Sequence, residues 1–160
     1  MKIRSVNEPD ILPIIKLITD VWAEYDCPLE IGDEEKHLLA PGDYFRARNG
    51  EFWVVENNNE IIGTVAVMFV NAETAELKSL YVRRDYRRKG LGADLTELVI
   101  KFARAKDAKE IILWSDTRFT KAHRLYEKLG FEKVGERELN DLNNSKEVGF
   151  KLKLISKPPI

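Results

Sequence analysis

Residues 76–103 constrain the fold of this chain more than any other stretch. They begin with the β-rich run ELKSLYV, and of the next ten residues, 83–92, five are arginine or lysine. Beyond this basic turn, apolar side chains recur at helical spacing along one face, at Leu91, Leu95, Leu98, Val99 and Phe102. A strand, a basic turn and a helix in direct succession predict a fold of the α/β or α+β class, with the turn at the end of a sheet strand.

Helical spacing also occurs before this stretch. It predicts a first helix over residues 9–25, with Asn7 as its cap, because apolar residues repeat at Ile11, Ile14, Ile15, Ile18, Val21 and Trp22. A weaker signal predicts a second helix over residues 34–40, which Pro41 and Gly42 then break.

The remaining segments are mostly β-rich. Ile3 and Val6 indicate a short first strand, and the runs EFWVVE and IIGTVAVMFV, joined by asparagines at 57–59, predict a hairpin because asparagine tolerates positive φ. IILW predicts a short buried strand, residues 119–129 a helix that Gly130 ends, and FEKVGE and EVGFKLKL two last strands. The order βααβββαβαββ predicts a mixed sheet of about seven strands flanked by about four helices.

Length and composition limit the class of protein. The 160 residues suit one domain over 1–160, and 26 basic against 27 acidic residues argue against broad nucleic-acid or membrane binding. The first residues lack the apolar core of a signal peptide, and the longest apolar run is about half the length that spans a bilayer. We therefore expect a cytoplasmic protein. With one cysteine, Cys27, and two histidines, we expect no metal.

The basic turn has the features of an anion site. The first turn of a helix presents unpaired N–H groups and partial positive charge, and Gly90 and Gly92 let a phosphate approach the backbone. Positive side chains at its rim are Arg84, Arg87, Arg88 and Lys89. The alternative is a solvated basic turn in which the glycines only start the helix. The P-loop and dinucleotide fingerprints do not fit, since no Gly-Lys-Ser/Thr run follows and Leu95 replaces a third glycine.

A different signature does fit. Arg87, Gly90 and Gly92 match the Arg/Gln-x-x-Gly-x-Gly/Ala pattern of the Gcn5-related N-acetyltransferases, the GNAT superfamily. Residues 76–103 resemble that family's fourth strand, pyrophosphate loop and third helix, and KAHRLYEKLGFEKVGE resembles its next conserved block. The resemblance is specific over residues 76–136, and the element order extends it to nearly the whole chain.

The resemblance implies acetyl-CoA as the cosubstrate. In this family the fourth strand bulges and parts from the fifth, and pantetheine lies in the gap; backbone groups of Leu80, Tyr81 and Val82 would bind it here. An N–H there would also polarise the acetyl carbonyl. The pyrophosphate would meet the backbone N–H groups of a row that begins at Arg87 or Arg88 and continues through Lys89, Gly90, Leu91, Gly92 and Ala93.

The resemblance also implies catalytic residues. Tyr126 corresponds to a tyrosine that protonates the departing thiolate in similar enzymes. The alternative is a core aromatic, since residues Phe119, Ala122 and Leu129 share its helical face. Glu76 corresponds to a glutamate that acts as the base or orders a relaying water, although a glutamate at a strand edge is more often solvated.

Other polar residues have weaker claims. Glu24, Tyr25 and residues 33–35 are candidates for an acceptor pocket that attracts a cationic amine, with caps or solvated surface as the alternative.

Phe119 departs from the family, because many relatives have an asparagine there that binds pantetheine. Asp116 and Thr117 are candidates to replace it, or helix-entry caps. His123 has the pattern of a surface or core-edge residue, and Cys27 has no basic neighbour in sequence.

Three hypotheses follow. The first is direct acetyl transfer from acetyl-CoA to a primary amine of a small molecule, peptide or protein. The second is a coenzyme-binding regulatory module of the same fold without turnover. The third is a basic surface for anionic polymers such as RNA, which the short, local charge disfavours. No pattern identifies the amine, and a homodimer is only suggested by the terminal strands of relatives.

Overall fold

The computed structural model of the chain describes residues 1–29 and 35–154. Within them the strands are β1 Lys2–Ser5, β2 Glu51–Asn57, β3 Glu60–Phe69, β4 Thr74–Val82, β5 Glu110–Asp116, β6 Glu132–Glu138 and β7 Lys146–Lys153. The α-helices are α1 Ile11–Ala23, α2 Pro41–Arg46, α3 Leu91–Ala105 and α4 Thr120–Lys128. Short 3₁₀ helices cover Glu8–Asp10, Lys36–Leu39 and Arg84–Tyr86.

The strands form one mixed sheet in the order β1-β2-β3-β4-β5-β7-β6. All neighbours pair antiparallel except β4 and β5, which run parallel. The seven strands, the four α-helices and their order confirm the fold class predicted from the sequence.

The predicted hairpin is confirmed between β2 and β3. Asn58 and Asn59 have φ of 51° and 62°, which is the left-handed conformation that a tight two-residue turn requires.

The start of the first helix differs in detail from the prediction. Asn7 precedes it as expected, but the hydrogen bond runs the other way: the Asn7 backbone N–H donates to Asp10 Oδ2 at 2.7 Å. The Asp10 carboxylate in turn accepts hydrogen bonds from both terminal nitrogens of Arg4, at 2.8 and 2.9 Å. This ion pair therefore fixes the start of the first helix to β1.

The predicted break at Pro41 and Gly42 is present, but a helix that was not predicted begins at the same point. The weak helical signal corresponds to the 3₁₀ helix Lys36–Leu39, and Glu34 lies outside the described residues. Pro41 is the first residue of α2, a position where its missing N–H costs no hydrogen bond.

Strand β4 parts from β5 after a short contact. Only Thr74, Ala75 and Glu76 pair with β5, although β4 continues to Val82. On its other side, the β3–β4 register shifts by a bulge between Thr64 and Ala66, opposite Lys78 and Tyr81. The two strands therefore leave an open gap in the middle of the sheet.

Two apolar clusters lie on opposite faces of this sheet. Val54 and Val55 belong to different clusters, because successive side chains of a strand point to opposite faces. One face packs under α1 and α2, with Ile14, Ile18 and Phe45 fully buried. The other packs under α3 and α4 through residues that include Leu95, Val99 and Tyr126. In the part of the chain described, no helix has the length and apolar character needed to cross a bilayer.

Candidate functional site

Two cavities open where β4 leaves β5. One has a volume of about 650 Å³ and the other about 450 Å³. They share four lining residues, namely Leu80, Tyr81, Phe119 and Ala122. The two cavities are thus the two ends of one cleft, which runs between β4 and α4.

The smaller cavity ends at the loop that enters α3. Within the described residues, none of the six backbone N–H groups of residues 88–93 has a hydrogen-bond acceptor, and the first helical bond is from Asp94 to the Gly90 carbonyl at 3.0 Å. Arg88 and Gly90 both have left-handed backbones, with φ of 64° and 81°. Successive N–H groups in such a turn form a concave anion site.

The two glycines serve different purposes. A Cβ on Gly90 would meet no atom within 4 Å, so this position needs glycine for its positive φ rather than for space inside the protein. A Cβ on Gly92 would lie 3.3 Å from Leu125 Cδ2, so glycine there lets α3 approach α4.

The smaller cavity is lined by cations. Its charged lining residues are Arg87, Arg88, Lys121 and Lys128, and within the described part of the chain it has no carboxylate. The two arginines were predicted from the sequence of the turn, and α4 adds the two lysines. Lys121 and Lys128 are seven residues apart, two helical turns, and so lie on one face.

Arg87 has a second role in the loop. Its guanidinium binds both carboxylate oxygens of Glu24 at 2.6 and 2.7 Å and donates from Nε to the Val82 carbonyl at 2.9 Å. This bidentate pair fastens the loop to the end of α1 and β4. Glu24, predicted to line an acceptor pocket, lines neither cavity.

The other predicted cofactor residues lie as follows. Leu80, Tyr81 and Val82 line the smaller cavity, as do Gly90, Leu91, Gly92 and Ala93. Lys89 Nζ lies over the ring of Tyr86, 5.2 Å from its centroid, and the Lys89 side chain does not line the cleft. Arg83 forms ion pairs with Asp85 and Glu60.

Tyr126 projects from α4 into the larger cavity. The residue is 4% exposed, and its ring packs against Phe131 and Phe150 at centroid distances of 5.7 and 5.6 Å. Burial raises the pKa of the Tyr126 hydroxyl, so the group stays protonated at neutral pH. Among the described residues the hydroxyl has no hydrogen-bond partner, which leaves its proton available to a molecule in the cleft.

Tyr81 and Phe119 lie at the junction of the two cavities. The Tyr81 hydroxyl accepts a hydrogen bond from Trp22 Nε1 at 3.2 Å, and burial raises its pKa. The Phe119 ring packs on the rings of Trp22 and Tyr25 at centroid distances of 4.9 and 5.1 Å, so an apolar aromatic side chain fills this position. Tyr25, predicted for an acceptor pocket, lines the smaller cavity.

The larger cavity is mixed in charge but mainly acidic. It is lined by two cations, Lys78 and Arg137, and by five carboxylates, those of Glu35, Glu76, Asp116, Asp141 and Glu147. Glu76 is largely buried, with 12% of its side chain exposed, and its Oε2 lies 3.6 Å from Lys78 Nζ. Of the predicted acceptor residues 33–35, Glu35 lines this cavity and the other two lie outside the described residues.

Asp116 and His123 are held by local contacts. The interpretation of Asp116 as a helix-entry cap is wrong, because the N-cap of α4 is Phe119 and no side chain caps the helix. Asp116 Oδ1 instead accepts the Arg118 N–H at 2.9 Å, and its Oδ2 pairs with the Arg118 guanidinium, in the turn before α4. His123 Nε2 lies 3.1 Å from Ser115 Oγ and 2.9 Å from the Asp116 carbonyl, and burial lowers its pKa. His123 lines neither cavity. Cys27 is buried, with Sγ 3.4 Å from the Tyr25 carbonyl.

Known proteins match this chain along most of its length. The family model of the GNAT acetyltransferases matches residues 16–131. Human N-acetyltransferase 8 is 33% identical over 123 residues, which are 72% of this chain and 52% of the human protein. The chain thus spans about half the length of that relative.

Solved structures share the fold. An acetyltransferase from Streptococcus agalactiae superposes with a TM-score of 0.82 at 25% identity, over 96% of this chain and 98% of that one. An acetyltransferase from Salmonella typhimurium, solved with its cofactor acetyl-CoA, has a TM-score of 0.76 at 19% identity, over 100% and 97% of the two chains. Since the family model matches residues 16–131, well over half of the sequence, the chain belongs to the GNAT family of acetyltransferases.

Proposed function

We propose that this chain transfers the acetyl group of acetyl-CoA directly to a primary amine. The observation that carries the proposal is the row of six backbone N–H groups at residues 88–93, which lack an acceptor in the described chain. Five of these six residues line a cavity that is also lined by cations. Such a site suits a pyrophosphate. The acetyl-CoA bound to a solved relative of the same fold supports the choice of cosubstrate.

The residues present fit this cosubstrate along the cleft. The N–H groups of 88–93 would hold its pyrophosphate, with Arg88, Lys121 and Lys128 supplying positive charge. Strand β4 from Leu80 to Val82 has no strand partner on its β5 side, so its backbone is available to the pantetheine arm. Acetyl-CoA supplies an activated thioester when bound.

Tyr126 is the proposed general acid. Its hydroxyl is protonated at neutral pH, as any tyrosine is, and burial raises its pKa further above the ordinary value of about 10. It has no partner in the described chain that would compete for its proton. A donor of this kind stabilises the thiolate as it leaves. Tyr126 lines the larger cavity beside Leu80 and Ala122, where the two cavities meet.

The larger cavity is the proposed acceptor site. Its carboxylates favour a positively charged amine, and Glu76 on β4 is the proposed base or the group that orders a relaying water. Over one turnover the N–C bond forms and the C–S bond breaks. The ammonium loses two protons, the thiol gains one, and one proton passes to solvent.

An assay of coenzyme release tests the proposal. Purified protein and acetyl-CoA would be mixed with a panel of small-molecule and peptide amines, and free thiol and acetylated amine would be measured together. We expect at least one amine to give both products in equal amounts. Saturable coenzyme binding with no release by any class of amine would contradict catalysis and favour a regulatory module that binds acetyl-CoA.

A further inference from the structure

A buried histidine faces the proposed acceptor cavity. His37 is 5% exposed, and its Nε2 lies 3.1 Å from Ser79 Oγ and 3.8 Å from Glu35 Oε2. All three residues line the larger cavity, yet they come from two distant parts of the chain. The catalytic roles assigned to Tyr126 and Glu76 leave this group unused.

Ser79 is held in a conformation that serine seldom adopts. Its φ is 54°, at the bulge where β4 changes register against β3. A left-handed backbone is unfavourable for a residue with a Cβ, and such outliers persist where the surroundings fix them, often at functional sites. Thr64 Oγ1 fixes this one by donating to the Ser79 carbonyl at 2.7 Å. The hydroxyl of Ser79 is thereby directed to His37, one residue before Leu80.

An imidazole suits the removal of a proton from an amine. Its ordinary pKa is the one nearest neutral pH, so it can accept a proton and return it to water within the physiological range. Glu76, the other proposed acceptor of this proton, already lies 3.6 Å from the ammonium of Lys78. The cavity therefore contains a carboxylate placed to attract a cation and, separately, a serine–histidine pair placed to move a proton.

We propose that Ser79 and His37 form a proton relay for the acceptor amine, an inference that rests on the proposed function. The substrate ammonium gives its first proton to Ser79 Oγ as the Ser79 hydroxyl proton passes to His37 Nε2. Ser79 ends neutral, the amine ends neutral and nucleophilic, and His37 ends as an imidazolium that faces Glu35. His37 then releases this proton to water. Ser79 is the catalytic residue, and His37 acts through it.

Several other titratable or charged groups lie near His37 or line the same cavity. The Tyr44 ring of α2 lies 5.6 Å from the imidazole ring. Glu76, Lys78 and Tyr81 of β4 line the same cavity, as do Arg137 and Glu147 from the β6–β7 pair. A pH profile of one variant would therefore mix several effects, so the test compares matched variants.

The first test uses the amine that releases coenzyme fastest in the panel described above. His37→Gln keeps a polar atom near Ser79 but cannot take the proton. We expect kcat/KM for the amine to fall roughly 10²-fold at pH 7 and to recover as pH rises, because the amine then arrives deprotonated. Ser79→Ala should give the same dependence of kcat/KM on pH. In both variants KM for acetyl-CoA should not change.

His123→Gln is the control, because it removes the other histidine of the chain away from both cavities. It should keep the wild-type pH profile. If His37→Gln lowered kcat/KM for the amine by the same factor at every pH, the relay would be overturned and His37 would have only a packing role. Wild-type turnover in the same assay tests the proposed function separately, since it does not depend on either variant.

Nitrogen NMR of the wild-type protein is a second test of the relay. It needs no acceptor amine, and it does not depend on whether a variant folds. With two histidines in the chain, the imidazole signals are few. We expect neutral His37 to carry its proton on Nδ1, so that Nε2 accepts the Ser79 hydroxyl. A proton on Nε2 in neutral His37 would overturn the proposal.

Discussion

At the scale of single residues, the proposed chemistry depends most on the hydroxyl of Tyr126. Its ring is fixed among Phe131 and Phe150, while its oxygen has no partner in the described chain. No side-chain polar atom of the described residues is both fully buried and unpartnered, so this oxygen is open to the cleft. Burial of the residue raises the pKa of the hydroxyl, so rising pH does not remove the acid until well above the ordinary value for tyrosine, about 10.

Tyr126→Phe removes this proton donor and little else. We expect kcat to fall roughly 10²–10⁴-fold, because thiolate then leaves without a proton, while the affinity for acetyl-CoA stays within about twofold. Thiol release and calorimetry measure the two effects. Tyr86→Phe is the control, since the Tyr86 hydroxyl bonds Asn57 at 2.6 Å and lines neither cavity. An unchanged kcat in Tyr126→Phe would remove this residue from the mechanism.

A second prediction concerns stability. The pKa of Asp10 is lowered, chiefly by its hydrogen bond from Arg4, so the carboxylate stabilises the fold above its unfolded pKa of about 3.9. That contribution is lost as pH falls through this value toward the folded pKa. Asp10→Asn should lower the free energy of unfolding by about 1.5–3 kcal/mol at pH 7 and by less at pH 3.

Denaturant titrations at the two pH values measure the effect. The control is Asp20→Asn, which breaks the exposed pair of Lys16 and Asp20 on α1. Its effect should be below about 0.5 kcal/mol at pH 7. An equal loss in Asp10→Asn and Asp20→Asn would mean that the pair of Arg4 and Asp10 contributes no more than a surface contact.

At the scale of elements, the proposed anion site is a property of the turn between β4 and α3. Gly90 supplies a left-handed residue immediately before α3, and the N–H groups on either side of it have no acceptor among the described residues. Since a Cβ at Gly90 meets no protein atom within 4 Å, a side chain there would extend into the cleft or solvent rather than into the core.

Gly90→Asp and Gly90→Asn separate charge from shape. Both residues tolerate a left-handed backbone and have nearly equal size, so both should keep the fold. We expect the carboxylate of Gly90→Asp to weaken acetyl-CoA binding at least ~100-fold by repelling the pyrophosphate, and Gly90→Asn to weaken it much less. Calorimetry measures the affinities, and the unfolding midpoints check the fold. Equal affinities in the two variants would place the phosphate site elsewhere.

The same turn shows what sequence can predict. The strand, the basic turn and the helix follow from local spacing, and most of the main elements were predicted in order for that reason. The sequence also shows that Lys121 and Lys128 are two helical turns apart. It does not show which face of α4 lies against the turn between β4 and α3. His37 gave no signal, because its partner Ser79 lies 42 residues away and serine does not indicate a left-handed backbone. Contacts between distant segments decided these features.

At the scale of the whole molecule, the parting of β4 and β5 creates one cleft whose two ends are lined by side chains of opposite charge. The end at α3 and α4 is lined by cations, and the end toward β6 and β7 mainly by carboxylates. In the proposed function, an anionic coenzyme and a cationic amine would each be drawn to a different end, and Tyr126 lies near the junction of the two ends. The apolar clusters on both sheet faces hold this opening without a pairing strand between β4 and β5.

Calorimetric titration of acetyl-CoA into the purified protein, at low and high salt, tests the central claim that the cleft is a coenzyme site. We predict saturable one-to-one binding that persists at high salt, because backbone N–H groups and the strand edge contribute along with the cations. Binding that disappears steeply with salt would instead indicate a nonspecific polyanion surface. Absence of binding at either salt concentration would contradict the account.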